Sequence, residues 1–63
     1  MNYDQLPSGL RRLGAEIREV RKARGLTLQD MSDAVSCSVA YLSRIERGSA
    51  RVSSELLTEI SAA

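Results

Sequence analysis

The sequence predicts an all-α fold, a small bundle of four short helices within one domain. The chain has only 63 residues and contains neither Phe nor Trp, so its core must be aliphatic, which suits a helix bundle. Its apolar residues recur at steps of three and four, which is the spacing of one helix face. Hydroxyl residues and glycines stand at the positions where helices would begin and end.

The first helix is predicted from Leu10 to Arg24, and residues 1–9 before it are predicted to form a flexible N-terminal arm. The arm ends in a Pro-Ser-Gly cluster, in which Ser8 is the candidate N-cap. Gly25 should end the helix, because glycine adopts a left-handed conformation without steric penalty. The apolar face of this helix consists of Leu10, Leu13, Ile17 and Val20.

The second helix is predicted from Leu28 to Val35. Thr27 is a suitable N-cap, and Asp30 stands at the position that completes a capping box. Three apolar residues of this helix are expected to face the core: Met31, Ala34 and Val35.

The third helix is predicted from Val39 to Arg47, directly behind the second. Ser38 is its N-cap and Gly48 its stop signal, with Leu42 and Ile45 as the buried positions. Two short helices joined by so tight a connection present one of them to a partner, which is most often a groove of duplex DNA.

The fourth helix is predicted from Ser54 to the end of the chain, with Ser53 as its N-cap. No cap or stop signal accompanies Ala63, which favours a fragment of a longer protein. The apolar face of this helix consists of Leu56, Leu57 and Ile60.

Composition excludes several classes of function. The chain has no His and a single cysteine, Cys37, so neither a structural zinc site nor an internal disulfide is expected. It offers no nucleophile paired with a base and no room for a substrate pocket, so neither an enzyme nor a cofactor is expected. No apolar run approaches the roughly 20 residues of a membrane span and no signal peptide is visible, which fits the cytoplasm.

The charge distribution is more informative than the net charge of +1, which is low for a protein that binds nucleic acid. Basic residues gather in the first helix and again around the third helix and the loop that follows it, whereas most acidic residues lie elsewhere. This pattern predicts a basic face on a nearly neutral molecule, with ordinary solvated helix faces as the alternative.

Three segments carry a resemblance to a known family. They are LGAEIREVR at residues 13–21, GLT at residues 25–27 and SVAYLSRIERG at residues 38–48. Together they resemble the phage repressor/Cro-type helix-turn-helix family, also called the xenobiotic-response-element type. The resemblance covers about residues 10–63 and implies a lambda-repressor-like fold of five helices, whose third helix enters the major groove. Only four helices fit in residues 10–63, so this domain is expected to end before the fifth.

The chain departs from the family pattern at several positions. Leu28 stands where the family has a Gln whose amide contacts a phosphate. Ser36 stands where the family has a glycine in the turn. This predicts a serine in the left-handed conformation, which would cost the fold about 1 kcal/mol. Ser32 replaces a small Ala, and Val52 replaces a Pro.

Carried over position by position, the resemblance implies two sets of DNA contacts and one structural pair. The base edges would be contacted by Val39, Ala40, Ser43 and Arg44. The phosphates would be contacted by Ser38, Tyr41, Arg47, Ser49 and Arg51. Arg21 and Glu46 occupy positions that form a partly buried ion pair in the family.

Each assignment has an alternative. Arg44 is suited to reading guanine through two hydrogen bonds, but it also fits a phosphate contact or a solvated surface arginine. Tyr41 has an alternative in which its ring packs against the second helix. Arg21 and Glu46 are otherwise two unrelated surface charges.

The sequence therefore predicts a sequence-specific double-stranded DNA-binding domain of a bacterial or phage transcription regulator, such as a repressor. It is expected to bind a pseudo-palindromic operator as a homodimer. An additional domain or a protein partner is compatible with this expectation. The alternative is a protein-interaction module of the same fold, such as an antitoxin or a partner-docking domain.

Overall fold

The computed structural model describes residues 7–63, which form four α-helices and no β-strand. The helices are α1 (Pro7–Ala23), α2 (Leu28–Ala34), α3 (Val39–Glu46) and α4 (Ser54–Ala62). The all-α prediction and the order of the four helices are confirmed. None of the helices in this part of the chain is long and apolar enough to cross a membrane.

Helix α1 begins at Pro7, earlier than the predicted Leu10. Proline is favoured at the first helical position, because the N–H that it lacks has no partner within the helix there. Ser8 therefore lies inside the first turn, and its prediction as the N-cap is wrong. Residues 1–6 of the predicted arm lie outside the described residues.

Glycines end α1 and α3, as predicted. Gly25 has a φ of 71° and Gly48 a φ of 78°, both in the left-handed region. After α1, the N–H of Leu26 donates to the carbonyl of Arg21 at 3.1 Å, while the N–H of Gly25 donates to that of Lys22 at 3.0 Å. These bonds satisfy carbonyls that the end of a helix leaves unpaired.

The predicted N-caps of the three shorter helices are confirmed. Thr27 Oγ1 accepts from the Asp30 N–H at 3.0 Å, and the Thr27 N–H donates to Asp30 Oδ2 at 2.9 Å, which completes the capping box. The hydrogen bond from the Thr27 backbone lowers the pKa of Asp30, because it stabilises the carboxylate. Ser38 and Ser53 cap α3 and α4 through hydroxyl oxygens that each accept a backbone N–H at 3.1 Å.

The turn between α2 and α3 differs from the prediction of a left-handed serine. Among the described residues only glycines have positive φ, so Ser36 carries no such strain. Val35 instead turns the chain in an extended conformation, with φ −126° and ψ 167°. The Ser36 N–H and hydroxyl both donate to Glu59 Oε1 at 3.0 Å, which ties the turn to α4. The turn therefore forms without a left-handed residue, and this carboxylate ties it to α4.

The core lies where α2, α3 and α4 meet the inner face of α1. Met31 and Leu42 are fully buried at its centre. All of its members are aliphatic, as predicted from the absence of Phe and Trp. The buried core residues are Ile17, Met31, Val35, Leu42, Ile45, Leu56 and Ile60.

Three residues predicted to be buried are exposed. Ala34 is exposed because α2 ends there and the extended Val35 occupies the core position instead. Val20 and Leu57 are 38% and 36% exposed. Both line an open groove between α1 and α4, where no other described residue covers them.

Helix α1 crosses α3 closely at Gly14. A Cβ atom at this position would lie 2.8 Å from the carbonyl oxygen of Glu46, and closer still to that of Ile45. Real Cβ atoms essentially never approach a backbone oxygen so closely, so the contact requires glycine. The close approach fixes the position of α3 against α1.

Candidate nucleic-acid interface

The orientation of α3 is set by its buried face and by one ion pair. Leu42 and Ile45 are at most 1% exposed and anchor the inner face. Arg21 of α1 donates two hydrogen bonds to Glu46, from Nε to Oε2 at 2.8 Å and from Nη2 to Oε1 at 3.1 Å. With one side of α3 held in this way, its opposite side faces solvent.

The ion pair is well shielded from solvent, and each of the three guanidinium nitrogens of Arg21 donates a hydrogen bond. The side chains of Arg21 and Glu46 are only 12% and 6% exposed. Arg21 Nη1 also donates to the carbonyl of Leu26 at 2.8 Å, just beyond the end of α1. The hydrogen bond to Glu46 raises the pKa of Arg21. The structure thus joins two residues that lie far apart in the sequence.

The residues predicted to contact bases occupy the outward side of α3. Ala40 and Arg44 are exposed, and Val39 and Ser43 are half-buried. The Arg44 guanidinium makes no hydrogen bond or ion pair with any residue that the structure describes. Side chains at these positions lie one helical turn apart on one side of α3 and are available to a partner.

The residues predicted to contact phosphates fall into two groups. In the first, the polar group has a hydrogen-bond donor to spare. Ser38 Oγ accepts the Tyr41 N–H, which leaves its own hydroxyl hydrogen available. Arg47 directly follows α3, Arg51 lies in the loop between α3 and α4, and both are exposed.

In the second group, the donor is already used within the fold. The Tyr41 hydroxyl donates to the carbonyl of Arg51. The Ser49 hydroxyl donates to the carbonyl of Arg44 at 3.1 Å. Since each hydroxyl has one hydrogen, neither can donate to a phosphate without giving up its bond to the loop. The Tyr41 ring is partly buried and packs against the core. This placement is similar to the alternative given for Tyr41, in which its ring packs against the second helix.

The sequence-based assignment gave no contact to Arg18. The structure places it on α1 beside Ser43 of α3 and Arg47, which follows α3, around one cleft. Its spacing from Arg21, one helical turn away, was the available signal, because residues at that spacing share a helix face.

Two further observations bear on other chemistry. Among residues 7–63, no group of His, Cys, Asp or Glu side chains is arranged to hold a metal ion. Burial raises the pKa of the half-buried Cys37 thiol in the turn, with a smaller contribution from Glu59. A raised pKa disfavours the reactive thiolate.

The geometry defines a helix-turn-helix, with α2 and α3 as the pair and α3 as the exposed member. Residues 12–63 match the model of the family described as a helix-turn-helix domain. The chain belongs to this family.

Two curated relatives are named as regulators of transcription. The transcriptional regulator ClgR of Mycobacterium tuberculosis is 46% identical over 48 residues, covering 76% of this chain and 43% of that protein. The HTH-type transcriptional regulator DdrOP3 of Deinococcus deserti is 43% identical over 49 residues, covering 78% of this chain and 38% of that protein. The chain thus spans less than half the length of these relatives.

Solved structures show the same fold. A crystal structure of the clp gene regulator ClgR from Corynebacterium glutamicum matches with a TM-score of 0.79 at 42% identity, covering 82% of this chain and 67% of the other. A second crystal structure of that regulator matches with a TM-score of 0.77 at 44% identity, covering 79% and 53%.

Proposed function

We propose that this chain is the DNA-binding domain of a bacterial or phage transcription regulator of the phage repressor/Cro type. It binds double-stranded DNA in a sequence-specific manner, with α3 in the major groove. The observation that carries the proposal is the solvent-facing side of α3, where Arg44 is exposed opposite the buried Leu42 and Ile45. The names of the relatives support the same role.

Sequence is read from the outward side of α3. Arg44 donates two hydrogen bonds to the O6 and N7 atoms of a guanine, the commonest specific contact in the major groove. Ser43 adds a weakly discriminating hydroxyl, and Val39 and Ala40 offer apolar contact to a thymine methyl group. No chemical step is involved, so the domain acts by occupancy and not as an enzyme.

Backbone contacts position α3 in the groove. Ser38, Arg47 and Arg51 supply donors to phosphates on either side of it, and such contacts orient a protein without specifying sequence. Tyr41 and Ser49 contribute indirectly, because their hydroxyls hold the loop after α3 through the carbonyls of Arg51 and Arg44.

The complete regulator binds a pseudo-palindromic operator as a homodimer, with one α3 in each half-site. Half-sites of this class lie about one helical turn of DNA apart, which matches the two-fold symmetry of a dimer. Occupancy of the operator then blocks or recruits RNA polymerase.

Selection from a pool of randomised duplexes tests this proposal. An enriched motif is expected, and an inverted repeat within it would report the dimer. A sample that is helical by circular dichroism but enriches no motif would contradict the proposal.

A second candidate function rests on the groove between α1 and α4. This groove has a volume of about 260 Å³ and apolar walls that include Val20 and Leu57, which are exposed. A partner that covered Val20 and Leu57 would bury this apolar surface. A stoichiometric protein complex, formed by a domain without salt-dependent affinity for DNA, would favour a partner-docking module.

A further inference from the structure

A cleft beside the Arg21–Glu46 ion pair combines cations with an apolar wall. It has a volume of about 200 Å³ and opens between α1, the start of α2 and the C-terminal half of α3. The residues that line it are Arg18, Arg21, Leu28, Ser43, Glu46 and Arg47.

The free charge in this cleft is positive. Arg21 donates one hydrogen bond to each carboxylate oxygen of Glu46, so the charge of this carboxylate is balanced within the pair. Arg18 and Arg47 are exposed, and neither guanidinium bonds to a residue that the structure describes. The cleft therefore carries two guanidinium groups without a counter-charge.

The lining of the cleft is rich in hydrogen-bond donors. Each guanidinium presents several N–H groups in a planar fork, and Ser43 adds a hydroxyl. The side chain of Leu28 contributes neither donor nor acceptor. A lining that offers donors and positive charge fits a compact anion with several acceptor oxygens, and guanidinium forks match phosphate in particular.

We propose that this cleft binds one phosphate of the DNA backbone, with Arg18 of α1 and Arg47, the residue after α3, as its ligands. The inference rests on the proposed function, because α3 lying in the major groove brings the cleft to the edge of that groove. It assigns a DNA contact to α1 and makes Ser43 a residue that faces the backbone as well as the bases.

The test compares two arginines of α1 that differ in their relation to the cleft. Arg18→Gln removes a charge from its lining, whereas Arg12→Gln removes the same charge from an exposed position outside it. Each variant is titrated by fluorescence anisotropy against the duplex recovered by selection, across a salt series. Circular dichroism and thermal melting confirm that both variants remain folded.

Loss of one phosphate contact has a defined signature. The slope of log affinity against log salt should become shallower by about 0.9 for Arg18→Gln. Equivalently, the loss of affinity between roughly 50 and 200 mM salt shrinks by about 3.5-fold relative to the wild type. Arg12→Gln should keep most of the wild-type slope. Equal slopes for the two variants would overturn the proposal.

A second measurement locates the phosphate. Methylphosphonate linkages, which are uncharged, replace the phosphates of the duplex one at a time. At one linkage the substitution should weaken wild-type binding severalfold and weaken Arg18→Gln clearly less, because only Arg47 remains there as a ligand. If no linkage shows this coupling, Arg18 is not a ligand of a backbone phosphate.

Two outcomes separate this inference from its alternatives. A wild-type domain that shows no salt-dependent binding to any duplex contradicts the proposed function itself. If Arg18→Gln binds DNA like the wild type and loses only the binding of inorganic phosphate, the cleft takes a free anion. The inference then fails, while the proposed function stands.

Discussion

Arg21 and Glu46 form a bidentate ion pair that joins α1 to the end of α3, with hydrogen bonds of 2.8 and 3.1 Å. The same arginine caps the carbonyl of Leu26, so a single side chain connects α1, the loop before α2 and α3. This pair holds the proposed recognition helix in a fixed orientation.

Removal of either partner is expected to destabilise the domain strongly. Arg21→Ala or Glu46→Ala should lower the free energy of unfolding by about 3 kcal/mol, because each leaves a nearly buried charge without its partner. Urea denaturation of both variants and of the double variant provides the measurement. The double variant should lose much less than the sum of the single losses, whereas strict additivity would show that the two charges act independently.

Gly14 and Gly25 are expected to be required for different reasons. Gly14→Ala should destabilise the fold by about 1–3 kcal/mol, because its Cβ would press on the backbone of α3. Gly25→Ala, where a Cβ meets nothing within 4 Å, should lose about 1 kcal/mol through its φ of 71° alone. Thermal melting compares the two variants. A neutral Gly14→Ala would mean that α1 and α3 lie further apart than described.

Arg44 is expected to govern sequence preference. Arg44→Ala should reduce the discrimination between the selected duplex and a scrambled one by about 1–3 kcal/mol, because a two-bond contact to guanine is lost. Arg51→Ala serves as the control, since the loss of a phosphate contact should weaken binding to both duplexes alike. If Arg44→Ala weakens binding to the two duplexes equally, Arg44 contacts the backbone instead.

Tyr41 is expected to stabilise the loop rather than to bind a phosphate directly. Tyr41→Phe removes only the hydroxyl that donates to the Arg51 carbonyl, so the domain should lose about 1 kcal/mol of stability. The affinity for the selected duplex should stay close to that of the wild type. A clear loss of affinity with stability unchanged would restore Tyr41 as a phosphate contact.

The capping box of α2 should make stability depend on pH in the acid range. Since Asp30 has a lowered pKa in the folded state, its contribution is present above its unfolded pKa of about 3.9 and is lost as the pH falls through the folded value. Asp30→Asn should therefore be less stable than the wild type at neutral pH, and the difference should narrow in acid. Urea midpoints across this range measure it, and a constant difference would exclude the carboxylate as the cause.

Local signals in the sequence were sufficient to place the helices. The caps at Thr27, Ser38 and Ser53 and the stop at Gly25 act within a few residues of themselves, so sequence alone revealed them. The start of α1 was missed because the Pro-Ser-Gly cluster was interpreted as a break, although proline also begins helices.

Long-range contacts account for the remaining differences. The strain predicted at Ser36 is absent because this residue has no positive φ, and its contact with Glu59 of α4 has no local pattern that reports it. The commitment of the Tyr41 hydroxyl to the Arg51 carbonyl and the placement of Arg18 in the cleft likewise depend on packing between elements. Residues that contact a partner are thus harder to identify from sequence than residues that cap a helix.

Nuclear magnetic resonance of the isotope-labelled domain, titrated with the selected duplex, tests the central claim that α3 is the DNA-binding surface. The largest shifts of backbone amides should fall between Val39 and Arg44, with further changes around the cleft at Arg18 and Arg47. Shifts confined to the groove around Val20 and Leu57, with α3 unchanged, would contradict the account and favour a protein-docking domain.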